Sequence, residues 1–125
     1  NIKSGLPINL FRSHNDKYGD GEQMRDFIYV EDCVNVIDWI LNQKKFNGLY
    51  NVGSGVARKF IELATSVCAS IGVDLNINWI DTPSNVRAQY QYFTEANMEK
   101  LISSGYQKNF YSIEEGIKKF IEISK

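Results

Sequence analysis

The stretch Gln23-Met24-Arg25-Asp26-Phe27-Ile28-Tyr29-Val30-Glu31-Asp32 is where residue type and spacing come nearest to chemistry in this chain. An arginine and an aspartate precede a short β-prone run, and two carboxylates then open a helical pattern. A guanidinium fixed at a strand edge grips anions, phosphates above all, because its planar fork of donors meets two oxygens at once. An exposed Arg–Asp pair ahead of an ordinary strand has the same local sequence, and such pairs contribute little. Arg12, His14 and Arg87 are the other cationic or potentially cationic groups near predicted strand ends and loops, with Phe11, Tyr18, Tyr90 and Tyr92 among them. Arginines beside rings suit a nucleotide or a sugar diphosphate, charge meeting the phosphates and π-faces meeting base or sugar. The same rings also fit a role in the core. His14 lies in a polar loop, where it is either a general base or a solvated side chain.

Several familiar catalytic patterns are missing from these residues. Gly53-Ser54-Gly55 lies between a predicted strand and a predicted helix, but a dinucleotide fingerprint needs a third glycine three positions later, and Arg58 stands there. The better reading is a tight turn that lets Asn51 and the backbone pack closely. The residues four after the tyrosines are Glu22, Cys33, Ser54, Thr94, Ala96, Phe110 and Glu115, so no Tyr-x-x-x-Lys pair is present. Neither is a nucleophile elbow, a zinc-binding His-Glu-x-x-His or a phosphate-binding P-loop. One histidine and two distant cysteines leave no metal-site pattern, and Cys33 and Cys68 fit reduced thiols on apolar helical faces.

The elements that must position these residues follow from periodicity. Residues 6–11 form a predicted strand with Pro7 near its start, and residues 12–24 a polar loop. Residues 27–30 form a second predicted strand. Cys33, Val36, Ile37, Ile40 and Leu41 then mark one face of a helix whose first turn carries Glu31 and Asp32. Residues 49–52 form a third strand. Phe60, Leu63, Ala64, Val67, Cys68 and Ile71 mark a second helix, capped by Gly72. Residues 75–80 alternate as a fourth strand. Thr94 caps a third helix that stops at Gly105, and Ser112 with Glu115 opens a last helix bearing Ile113, Ile117, Phe120 and Ile121. The result is a mixed α/β domain over residues 1–125. Its 43% hydrophobic content and net charge of −1 fit a globular domain with no broad electrostatic field. Nucleic acid and anionic membrane are therefore poor partners, and a cytoplasmic location fits. The chain starts at Asn1 without methionine, as a piece of a longer protein would.

Leu10-Phe11-Arg12-Ser13-His14, the run from Asp20 to Asp32, and Tyr50-Asn51-Val52-Gly53-Ser54-Gly55 occur in the order found in extended short-chain dehydrogenases. More narrowly, Gln89-Tyr90-Gln91-Tyr92-Phe93-Thr94-Glu95-Ala96-Asn97 and the pairs Gly105-Tyr106 and Glu115-Gly116 resemble the ADP-L-glycero-D-manno-heptose 6-epimerases of that family. The resemblance implies an α/β C-terminal substrate-binding subdomain, with the N-terminal Rossmann domain missing from this chain. It implies an NADP-dependent isomerase that moves a hydride off and back onto the heptose C6, in the supply of heptose for lipopolysaccharide, and works as a homo-oligomer. Catalytic tyrosine, lysines and cofactor loop would lie before Asn1, leaving this fragment inactive alone. Carried over onto this sequence, the substrate grip falls on Phe11, Arg12, Ser13, His14, Arg25 and Tyr90, with Arg25 on the diphosphate of an ADP-heptose-type nucleotide sugar. A UDP-sugar epimerase or dehydratase of the same superfamily, and a non-catalytic nucleotide-sugar-binding or oligomerisation domain, are the competing readings.

Overall fold

Two small sheets carry the site, one parallel and one antiparallel. The computed structural model describes residues 2–43 and 47–124. After a 3-10 turn at Ile2–Ser4, the order is β1 (Ile8–Phe11), β2 (Met24–Asp26), α1 (Val30–Leu41), β3 (Ala57–Lys59), α2 (Phe60–Ile71), β4 (Ile77–Ile80), α3 (Ser84–Arg87), α4 (Glu99–Ser103) and α5 (Ile113–Ile123). β1 pairs in parallel with β4, Ile8 opposite Ile77 and Phe11 opposite Ile80. Parallel partners need a long crossover, which α1 and α2 supply. Because the carboxyl ends of β1 and β4 coincide, the chain leaving Phe11 and the chain leaving Ile80 emerge side by side. β2 pairs antiparallel with β3, and a parallel bridge joins Met24 to Phe93. That bridge lays residues 92–94 along β2, with Met24 N–H donating to Tyr92 O at 2.8 Å and Thr94 N–H to Met24 O at 3.2 Å.

The buried cluster gathers Val36 of α1, Leu101 of α4, Met98 and Tyr106, with Trp39, Ile40, Tyr50, Ala96 and Phe110 packed against it. On the other side α2 lies against α5. The helical stripe read from the sequence of α1 is only partly covered: Val36 is buried, while Ile37 and Leu41 are exposed. Cys33 and Cys68 are free thiols, and burial, then the neighbouring Asp32, pushes the Cys33 thiol up. Among the described residues no group of His, Cys, Asp and Glu could hold a metal ion, and no helix is long and apolar enough to cross a membrane.

Three expectations are corrected. The strand expected at residues 27–30 lies three residues earlier, at Met24–Asp26, and Val30 already begins α1. The aromatic side chains that suggested a strand turn to rings elsewhere, Phe27 onto Phe60 and Tyr29 onto Tyr111. Residues 49–52 pair with no strand among the described residues, and Leu49 is 86% exposed; a β-prone run becomes a strand only when a partner satisfies its backbone groups. Thr94 caps no helix, because α4 starts only after Met98, five residues beyond the β2 pairing in which the Thr94 N–H donates to Met24 O.

The last helix has the predicted cap. Ser112 Oγ accepts the Glu115 N–H at 3.2 Å, and the Glu115 carboxylate accepts the Ser112 N–H at 2.8 Å. Ser112→Ala is expected to cost about 1 kcal/mol, the usual worth of such a cap. Denaturant midpoints read this, and an unchanged midpoint would mean that the box does not hold α5 against α2 in solution.

Candidate functional site

Side chains alternate in direction along β2, and this separates two jobs that are adjacent in sequence. Asp26 is a clamp. One carboxylate oxygen accepts the Ser54 N–H at 2.7 Å and the Ser54 hydroxyl at 2.6 Å. The other accepts the Gly55 N–H at 2.9 Å and the Ala96 N–H at 3.0 Å. Burial pushes the Asp26 carboxyl up, but the donors from Ser54, Ala96 and Gly55 together outweigh it and hold the group below the ordinary carboxylate range. Glycine is required at position 53 by this approach: a Cβ there would lie 2.5 Å from Ala96 Cβ and would collide with the Asp26 carboxylate. Gly55 has φ +75°, a backbone region other residues resist. The turn reading of Gly53-Ser54-Gly55 therefore holds, and Asn51 Nδ2 reaches Asn97 O at 3.3 Å as part of the same packing. With the Ser54 and Gly55 N–H groups aimed at Asp26, this turn does not cradle a dinucleotide pyrophosphate.

Arg25 points the other way. Its guanidinium donates to Met24 O at 2.7 Å and to Gln91 O, and its centre lies 5.8 Å from the Phe60 ring centroid and 5.4 Å from that of Tyr90. The other three arginines each face a carboxylate: Arg12 meets Asp20 at 3.1 Å, Arg58 meets Glu114 at 2.7 Å and Glu62 at 3.0 Å, and Arg87 meets Asp81 at 3.6 Å. Among the described residues Arg25 has no carboxylate within ion-pair distance. It is a cation held in place by carbonyls and rings, with N–H groups left over for an anion.

The residues expected around it fall into two groups. Tyr90 meets Arg25 directly and Phe11 joins through Tyr90, its ring standing edge-on to that of Tyr90 at 6.0 Å. Tyr90 is half-buried, and its hydroxyl has no hydrogen-bond partner among the described residues. Burial pushes its phenol up, against the pull of Arg25, so the hydroxyl stays a donor at neutral pH. Arg12, Ser13 and His14 belong to the loop that follows β1. Asp20 ties its base, accepting from Arg12 and from the Ser13 N–H at 2.7 Å. Ser13 Oγ donates to Asn15 O at 3.0 Å, so this hydroxyl is spent on the loop itself. His14 is exposed as a residue, with 28% of its side chain exposed, and Nε2 lies 4.0 Å from Asp81, the carboxylate that also faces Arg87. Its backbone N–H donates to the Tyr92 hydroxyl at 2.8 Å.

Four positioning groups went unassigned in the sequence. Asp20, Asp81 and Tyr92 organise the loops, and Gln23, 1% exposed, donates to Phe11 O at 3.2 Å and so joins the end of β1 to the start of β2. A polar side chain ahead of a strand gives no signal that it will be buried. The one signal in the sequence was the polar composition of residues 12–24, since Asp and Asn side chains commonly fasten their own loops.

Residues 1–53 match the model of the NAD dependent epimerase/dehydratase family. The wider chain is 44% identical over 114 residues to an ADP-L-glycero-D-manno-heptose-6-epimerase of Nitratidesulfovibrio vulgaris, covering 91% of this chain and 35% of the relative. The chain thus spans about a third of the length of the curated relatives it matches. Among solved structures, the ADP-L-glycero-D-manno-heptose-6-epimerase of Helicobacter pylori superposes with TM-score 0.77 at 27% identity, covering 98% of this chain and 34% of that one. The UDP-glucose 4-epimerase of Thermus thermophilus, solved with NAD, gives the same TM-score at 24% identity over 95% of this chain and 35% of its own, a likeness of fold. The epimerase/dehydratase segment contains β1, β2, the loop between them and α1, and so most of the groups just described. The mixed α/β architecture is that of a partial extended epimerase.

Proposed function

We propose that this chain is the substrate-gripping part of an ADP-glyceromanno-heptose 6-epimerase, which interconverts ADP-D-glycero- and ADP-L-glycero-D-manno-heptose at C6 and supplies heptose to the lipopolysaccharide core. Arg25 carries this reading: a guanidinium anchored on two carbonyls, beside two rings and with no carboxylate at ion-pair distance among the described residues, is suited to the diphosphate of a nucleotide sugar. Tyr90, with its free hydroxyl beside that cation, is the second contact. Phe11 closes the far side of the Tyr90 ring. The similarity to heptose epimerases over nearly the whole chain supports ADP over UDP. The redox step belongs to NADP, bound by other parts of the enzyme, and no residue of this chain is assigned to it. The enzyme works in the cytoplasm as a homo-oligomer.

The experiment compares the 125-residue chain with the complete reading frame that carries it. The chain alone is expected to turn over no ADP-heptose and to bind no NADP at micromolar concentration, because positioning groups do not supply hydride chemistry. The complete enzyme is expected to invert C6 of ADP-heptose and to leave UDP-sugars unchanged; the opposite preference would favour the UDP-sugar reading. In that enzyme Tyr90→Phe is expected to raise the Michaelis constant about fivefold, the worth of one hydrogen bond, with melting temperature nearly unchanged. A lower melting temperature with normal kinetics would return Tyr90 to the core.

A further inference from the structure

Residues 13–19 form a loop whose hydrogen bonds are almost all internal. Asn15 O accepts from Ser13 Oγ and from the Tyr18 N–H, the Lys17 N–H donates to Asn15 Oδ1, and the Gly19 N–H donates to Glu22. Asp20, which holds Ser13, belongs to the same loop. Among the described residues, the hydrogen bond that ties residues 13–19 to another part of the fold runs from the His14 N–H to the Tyr92 hydroxyl, 78 positions away, at 2.8 Å. The Tyr92 ring adds packing on two sides, tilted against Tyr18 at 5.2 Å and edge-on to Tyr90 at 5.4 Å. Tyr92 is itself rigidly placed, since its carbonyl accepts from Met24 N–H and the next residue bridges to β2. The neighbouring carbonyl, Gln91 O, anchors Arg25.

We propose that Tyr92 is a positioning residue for the nucleotide-sugar site: its hydroxyl tethers the His14 loop to the strap that holds Arg25 and Tyr90, so that the two walls of the site form one unit. The ligand in this inference rests on the function proposed above; the tether does not. Without it, residues 13–19 would be tied to the fold only through the ends of the loop, where Thr82 Oγ1 donates to Arg12 O at 3.3 Å, the Ile61 N–H donates to Gly21 O at 3.0 Å and Lys59 pairs with Glu22. Ordering the stretch between would fall to the incoming ligand, and the cost would appear as weaker binding with the chemistry unaltered. The His14–Asp81 contact at 4.0 Å is too long and too exposed on the Asp81 side to replace it.

Tyr92→Phe removes the acceptor oxygen and leaves the ring against Tyr18 and Tyr90. By hydrogen exchange on the 125-residue chain, the His14 amide is expected to exchange about tenfold faster in the variant, while amides of β1 and α2 keep their rates. ADP, titrated into both proteins, is expected to bind the variant about fivefold more weakly. In the complete enzyme the same factor falls on the Michaelis constant and not on kcat. Unchanged exchange at His14, or faster exchange spread over the whole chain, would overturn the tether. A local change at His14 with unaltered ADP affinity would overturn its role in binding. A wild-type chain that binds no ADP would instead remove the nucleotide-sugar reading of the site, and this inference with it.

Discussion

Asp26→Asn is expected to lower stability by about 2–4 kcal/mol at pH 7. The carboxylate accepts four hydrogen bonds, two on each oxygen, from Ser54, Gly55 and Ala96. An amide keeps one acceptor oxygen and turns an NH2 group toward donors, so that two N–H or O–H groups are left facing another donor. The pH dependence gives a second reading. Because the folded-state carboxyl is held below its ordinary value, its contribution is fully present above the unfolded value of about 4 and is lost as pH falls through the depressed folded value. The gap between wild type and variant should therefore narrow in acid. Denaturant unfolding at pH 7 and at pH 3 tests both; a gap below about 1 kcal/mol at neutral pH would show that water satisfies the turn as well as Asp26 does.

Arg25→Lys is expected to weaken ADP or ADP-sugar binding by the complete enzyme by about 1.5–3 kcal/mol, roughly 10- to 150-fold in Kd. The charge survives, yet an ammonium is a point donor that cannot reach Met24 O, Gln91 O and a diphosphate together, and it has no plane to lay between Phe60 and Tyr90. Calorimetry under conditions where the variant is folded is the decisive measurement. An unchanged dissociation constant would make Arg25 an anchor for the strap that carries Gln91, and nothing more.

What was legible in the sequence was local. Helical periodicity placed α1, α2 and α5, and the reciprocal Ser112–Glu115 cap marked the start of α5 to the residue, because capping and amphipathic spacing act over a few positions. Residue type and the family resemblance singled out Arg25, Tyr90 and the residues from Phe11 to His14 as candidates, and the departure from a glycine fingerprint at Arg58 identified Gly53-Ser54-Gly55 as a turn. Tertiary structure decided everything that depends on a distant partner. Ala57–Lys59 has little intrinsic strand preference and becomes β3 because it lies against β2, whereas the more β-prone residues 49–52 pair with no strand among the described residues. The same holds in the site. Arg25 and Asp26 are neighbours of nearly equal appearance in the sequence, and the pleat of β2 sends one toward Phe60 and Tyr90 and the other to fasten a turn. No short-range pattern links His14 to Tyr92, 78 positions apart, or Gln23 to Phe11 O, since those contacts exist only once the end of β1, the start of β2 and residues 92–94 have packed together.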